Sequence, residues 1–113
     1  LKSGMSRDPA QWGPRLWYVI HMVCDTYPQV PSESHRVRTI EFFRSLRMLI
    51  PCPHCVSHYC KYLDENPVED HVHSGRALLI YCNRLHNHIN KALGKREVTL
   101  HVREPDGRII EIR

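Results

Sequence analysis

The sequence predicts an all-α fold of four helices followed by a short β-hairpin. Apolar residues recur every three or four positions in four separate stretches, and prolines and capping residues bound these stretches. Only the last part of the chain alternates apolar and polar residues. At 113 residues, 42% hydrophobic and 25% charged, the chain is typical of one globular domain.

The first two helices are bounded by local signals. Asp8 supplies an N-cap acceptor and Pro9 suits the first helical position, so the first helix begins there and stops before Pro28. Ser32 can cap a second helix, which Pro51 ends because proline lacks a backbone donor.

The third and fourth helices follow the same logic. The third begins at Cys52 and ends before Pro67, because the residue preceding a proline is biased away from helix. Val68–His73 is polar and predicts a loop. Ser74 then caps the fourth helix, and Gly94 ends it as a left-handed C-terminal cap.

The C-terminal segment has the period of a strand. Val98, Leu100 and Val102 alternate with polar residues, and Pro105–Gly107 predicts a turn. We therefore expect a β-hairpin that packs on the helices or pairs with another chain, since an isolated hairpin is marginal in water.

These boundaries divide the chain into three parts. Residues 1–10 form an N-terminal extension in which Met5 is a candidate native start. Residues 11–95 form the helical domain, and residues 96–113 form the hairpin extension.

Two cysteines separated by two residues stand at the start of the third helix. There, backbone N–H groups and the positive end of the helix dipole stabilise a thiolate at Cys52 or Cys55. Thiolate is the form that attacks disulfides and binds metals. The pattern therefore predicts redox or metal chemistry at this point.

Three interpretations of this dithiol are open. It could bind structural zinc together with Cys82 and His86, which lie on one face of the fourth helix. A thioredoxin-like site requires strands around the motif, and this sequence supplies helices. A flavin-linked dithiol requires a flat, aromatic-lined slot beside Cys55.

Charge and composition exclude other classes. The net charge of +4 is spread along the chain, so we expect no nucleic-acid partner. No apolar run approaches about 20 residues, so we expect no membrane span. The cysteine count is odd, which leaves at least one free thiol or one bond to another chain: Cys24, Cys52, Cys55, Cys60 and Cys82.

Three motifs together carry a family resemblance. WGPRLWYVIH at 12–21, PCPHCVSHY at 51–59 and LHNHINKALGK at 85–95 resemble, in the same order, the Erv/ALR family of FAD-linked sulfhydryl oxidases. The match covers residues 11–95 and favours the flavin-linked interpretation over zinc.

The resemblance implies a four-helix bundle, with a short extra helix or extension, that holds FAD and is usually a homodimer. Cys52 would exchange with substrate thiols, and Cys55 would pass electrons to the flavin. A cation from His54 or His58 would lower the pKa of Cys55. The matching FAD-site positions are Trp17, His21, Cys55, His58, Tyr59, His86, Asn87, Asn90 and Lys95, with Trp12, Gly13, Tyr81, Cys82 and Lys91 as weaker candidates.

The family reaction implies a protein dithiol or a small dithiol relay protein as the electron donor, and dioxygen as the acceptor, giving hydrogen peroxide. The minimal domain is most similar to viral forms, which implies the host cytoplasm and the virion. The mitochondrial intermembrane space or the endoplasmic reticulum is the alternative. Cys82 matches a cysteine that many relatives pair with a later one, but no cysteine follows it here, so it is free or pairs with Cys60 or Cys24.

Overall fold

The computed structural model describes residues 1–113 and confirms the predicted class. Four helices are followed by two antiparallel strands that pair Leu100 with Ile112. No helix combines the length and the hydropathy needed to cross a lipid bilayer. The elements are α1 (Pro9–Asp25), α2 (Glu33–Leu49), α3 (Pro53–Glu65), α4 (Gly75–Ala92), β1 (Leu100–Arg103) and β2 (Ile109–Ile112).

The predicted N-caps form. The Asp8 carboxylate accepts from the backbone N–H of Ala10 at 3.0 Å, and the Ser74 hydroxyl accepts from the N–H of Ala77 at 3.1 Å. Ser32 makes a reciprocal capping box in which His35 takes the place usually filled by glutamate or glutamine. These local bonds explain why the helix starts could be read from the sequence.

The predicted loop between α3 and α4 was wrong in one respect. Val68–His71 forms a 3-10 helix. Val68 and Val72 are only 2% and 3% exposed, and both pack in the core. Two valines in a short polar run are too few to reveal a period, so the sequence did not indicate this element.

Helix α4 is the centre of the bundle. It packs against α1, α3 and the 3-10 helix, and it supplies Leu78, Tyr81 and Leu85 to a core that also contains Phe43 and Ile20. The cysteine Cys82 belongs to the same core.

The C-terminal end of α4 is fixed by a Schellman turn. Gly94 has a φ of 70°, as the sequence predicts, and its N–H donates to the carbonyl of Lys91 at 3.2 Å. The N–H of Lys95 donates to the carbonyl of Asn90 at 2.7 Å. This turn fixes the backbone at Lys95 against the end of α4.

The hairpin is anchored on α4. The Asn87 amide accepts from the N–H of Val98 at 2.7 Å and donates to the carbonyl of Val98 at 2.8 Å. Asn83 donates to the carbonyl of Ile112 at 3.3 Å. These bonds hold both ends of the hairpin segment on the bundle, which a free hairpin would lack.

Candidate functional site

A cavity of about 580 Å³ opens beside the N-terminus of α3, with walls from α1, α3, α4 and the segment that leads into the hairpin. This volume falls in the usual range for small-molecule sites. The predicted cofactor positions that line the cavity are Trp12, Gly13, Trp17, His21, Cys55, Tyr59, His86, Asn90 and Lys95.

The dithiol joins this cavity to the outside of the bundle. Cys52 is the N-cap of α3, and its sulfur accepts from the backbone N–H of Cys55 at 3.3 Å. The two sulfurs lie 2.6 Å apart. Cys55 lines the cavity and Cys52 does not. Electrons that enter at Cys52 can therefore reach the cavity by way of its neighbour.

The two thiols of this pair differ in acidity. The hydrogen bonds from Cys55, from its side chain first and then from its backbone, lower the pKa of Cys52. Burial, followed by the contact with Cys52, raises the pKa of Cys55 to about 11. The cation that opposes this rise in pKa is Lys95. The expectation that His54 or His58 lowers the pKa of Cys55 was therefore wrong: the pKa is raised, and the favourable charge comes from the end of α4.

A chain of side chains runs from the cavity wall into the core. The rings of Trp17 and His86 stack with their centroids 3.9 Å apart. Behind them, His21 Nε2 lies 2.9 Å from His86 Nδ1, and His21 Nδ1 lies 3.5 Å from the sulfur of Cys82. Burial, His21 and Lys95 together lower the pKa of His86 to about 4, so this ring is neutral at pH 7 and shares one hydrogen bond with His21.

A family comparison agrees with this arrangement. The model of the Erv1 / Alr family matches residues 14–106, which is most of the chain. The chain belongs to the Erv1 / Alr family. This finding confirms the resemblance carried by the three sequence motifs.

Individual relatives of this Erv1 / Alr chain are viral and fungal. It is 36% identical over 92 residues to a probable FAD-linked sulfhydryl oxidase of Acanthamoeba polyphaga mimivirus and 34% identical over 91 residues to a protein of Invertebrate iridescent virus 3 assigned the same activity. Each match covers 80% of this chain and 64% or 62% of the relative, so the chain spans just under two thirds of their length. The crystal structure of the yeast Erv1 core superposes with a TM-score of 0.77 at 26% identity, covering 87% of this chain and 81% of that one.

Some predicted cofactor positions of this Erv1 / Alr chain lie outside the cavity wall. Tyr81 is 1% exposed in the core, where its hydroxyl donates to the carbonyl of Asn66 at 2.8 Å and its ring stacks on His71. The side-chain amide of Asn87 is already hydrogen-bonded to Val98, in the segment that leads into the hairpin. A cofactor role for these side chains stays a prediction that the cavity does not support; the full set is His58, Tyr81, Cys82, Asn87 and Lys91.

One buried polar residue of the cavity wall was missed. Asn83 lines the cavity, and its side-chain oxygen is buried without a hydrogen-bond partner. Its spacing of three and seven residues from His86 and Asn90 places all three on one face of α4, which was a usable signal. Val98 and Leu100 also line the cavity, and no local signal in the sequence indicated this.

The structure offers no set of zinc ligands for the alternative interpretation of the dithiol. No group of three or more His, Cys, Asp or Glu side chains is arranged to hold a metal ion. Cys82 faces His21 and Cys24 in the core, whereas Cys52 and Cys55 lie together at the start of α3.

Proposed function

We propose that this protein is an FAD-dependent sulfhydryl oxidase that forms disulfides in protein substrates. One observation carries the proposal: Cys55 lines an aromatic cavity while its sulfur lies 2.6 Å from that of Cys52, which stands outside the cavity. A dithiol in this position can exchange with an external thiol on one side and deliver electrons to a bound cofactor on the other. The FAD-linked activity assigned to the two viral relatives supports it.

The residues of the cavity fit FAD. The stacked rings of Trp17 and His86 offer a flat aromatic surface to a planar ring. The buried and unpartnered oxygen of Asn83 can accept from a ring N–H or a ribose hydroxyl. Asn90 adds amide hydrogen bonds, and Lys95 supplies a positive charge for the pyrophosphate.

The thiol half of the reaction needs only residues of this chain and the substrate. A substrate thiolate attacks the Cys52 sulfur of the oxidised pair, the bond between Cys52 and Cys55 breaks, and Cys55 leaves as thiolate. The second substrate thiol then attacks the mixed disulfide. The substrate departs oxidised, and its two electrons remain on the reduced cysteine pair.

The second half takes place at the cavity. FAD, when bound, supplies a two-electron acceptor that dioxygen regenerates with release of hydrogen peroxide. The share of this chain is to keep Cys55 at the cavity wall and to favour its thiolate through the positive charge of Lys95. The neutral His86 ring and Trp17 supply a planar surface in the cavity wall.

The proposal is tested by an absorption spectrum of the purified protein and by oxygen uptake with dithiothreitol. We expect a flavin spectrum, and uptake that is abolished in Cys55→Ser while the flavin remains bound. Cys60→Ser is the matched control and should retain uptake, because Cys60 does not line the cavity. A colourless protein with one zinc ion per chain would overturn the proposal.

We also propose a homodimer. The surface of α1 exposes Tyr18, Val19 and Met22, which are 67%, 51% and 42% accessible, and a second copy could cover them. Tyr18 also lines the cavity, so the proposed interface borders the site. Sedimentation should give twice the mass of the chain, and Val19→Asp should lower it to the mass of one. A monomeric wild-type protein at micromolar concentration would contradict this.

The proposed place of action is the host cytoplasm and the virion, with a protein dithiol or a small relay protein as the donor. The two viral relatives support this over the mitochondrial intermembrane space or the endoplasmic reticulum. Fractionation of infected cells should find the protein in the cytosol and in purified particles. Recovery in mitochondria or microsomes would favour the alternative.

A further inference from the structure

We propose that Cys24 and Cys82 form a second disulfide, buried inside the bundle, that ties α1 to α4. Both are free thiols in the structure, and each has the largest effect on the pKa of the other. They are 1% and 0% exposed and belong to one core cluster. Since α1 and α4 pack against each other, the bond would join two neighbouring helices.

The surroundings of the pair favour this chemistry. His21 precedes Cys24 by one helical turn, and its Nδ1 lies 3.5 Å from the sulfur of Cys82. The hydrogen bond from Cys24, together with His21, lowers the pKa of Cys82 to about 6 despite burial, while the contact with Cys82 raises the pKa of Cys24. A thiolate beside a thiol is the arrangement from which a disulfide forms.

An external disulfide such as oxidised glutathione can serve as the two-electron oxidant for this bond. The Cys82 thiolate attacks one glutathione sulfur, forms a mixed disulfide and expels the other glutathione as thiolate. Cys24 then loses its proton and attacks the Cys82 sulfur, which releases the second glutathione. Two electrons pass from the cysteine pair to the reagent. Because both sulfurs are buried, the exchange takes place during folding or when α1 opens from α4.

The remaining cysteine is left single by this assignment. Cys60 contacts Arg47 of α2 through its side chain. Five cysteines therefore divide into the dithiol of α3, the buried pair and one thiol, which accounts for the odd number. The inference does not depend on the activity of Cys52 and Cys55.

A peptide map tests the proposal. The whole protein is refolded with oxidised glutathione, denatured without reductant, treated with iodoacetamide and cleaved with trypsin. The fragment 16–36 then contains only Cys24, the fragment 77–84 contains only Cys82, and the other three cysteines lie in 48–61. We expect fragments 16–36 and 77–84 to appear joined, lighter than the two free thiol peptides together by two hydrogen atoms.

Matched variants complete the test. Cys24→Ser should abolish the joined species and leave fragment 77–84 alkylated, whereas Cys60→Ser should retain it. Alkylation of both fragments in the wild-type protein, or a link between fragments 77–84 and 48–61, would overturn the proposal. The wild-type map decides the question even if Cys24→Ser fails to fold.

Discussion

The two cysteine pairs of this chain share an electronic arrangement and differ in access. In each pair one thiol has a lowered pKa and its partner a raised one, Cys52 against Cys55 and Cys82 against Cys24. The first pair stands between the outside of α3 and the cavity. The second is enclosed between α1 and α4. The difference teaches that a low thiol pKa does not by itself make a catalytic site; a path for the substrate is also required.

The largest expected effect is a difference in oxidation rate between a serine substitution in the α3 pair and one in the buried pair. Cys52→Ser should lower the rate of protein-dithiol oxidation by about 1000-fold, because the thiol proposed to exchange with substrate is lost. Cys24→Ser should keep the rate within about threefold, since Cys24 is not on the proposed electron path. Oxygen uptake with a reduced protein substrate measures both. Equal losses would place the buried pair on that path.

Alkylation rates should show whether the reactivity of each cysteine depends on its access to reagent or on the pKa of its thiol. In the reduced protein at pH 7.5 we expect iodoacetamide to modify Cys52 about 100 times faster than Cys82, although the pKa of Cys82 is about 6, because the reagent reaches Cys82 only through local opening. Timed tandem mass spectrometry of the tryptic fragments, which identifies the modified cysteine within fragment 48–61, measures the ratio. In guanidinium chloride the ratio should fall to near one, and a ratio near one in the folded protein would contradict the burial of Cys82.

Much of the fold could be predicted because its boundaries depend on local bonds. Asp8, Ser32 and Ser74 cap their own helices, and Gly94 has the left-handed backbone that its position suggested. The short 3-10 helix at Val68–His71 was missed because its stability comes from packing in the core. Two valines in a short polar run do not form a pattern from which that packing could be predicted.

The site was predictable where a motif places residues on one helix face, and less so where distant segments meet. Asn87 and Asn90 stand in the same motif, yet Asn90 lines the cavity and Asn87 holds the hairpin. The partner of each amide depends on the path of the chain after α4, which brings Val98 against Asn87. The contact between Cys24 and Cys82 likewise joins two helices far apart in sequence, so spacing alone left three pairing states open.

The effect of the Lys95 charge on Cys55 can be tested by comparing Lys95 with Lys91, which lies four residues earlier in the chain. Lys95→Met should raise the pKa of Cys55 above its value of about 11 and slow its alkylation about tenfold at pH 8, since less thiolate is present below the pKa. The rate should still rise with pH in both proteins, with the variant displaced to higher pH. Lys91→Met is the control, because Lys91 lies outside the cavity, and Lys95→Arg should restore the profile. An unchanged profile in Lys95→Met would exclude this electrostatic role.

The smallest effect is a difference in sign between two identical substitutions. In the reduced protein, Cys24→Ser places a hydroxyl in the core and should lower the free energy of unfolding by about 1 kcal/mol. Cys52→Ser should raise it by about 0.5 kcal/mol, because serine is a stronger N-cap and its oxygen can accept from the N–H of Cys55 as the sulfur now does. Urea unfolding under reductant measures both values. Two changes of the same sign would mean that burial and capping do not distinguish these cysteines, and the contrast between the pairs would then rest on reactivity alone.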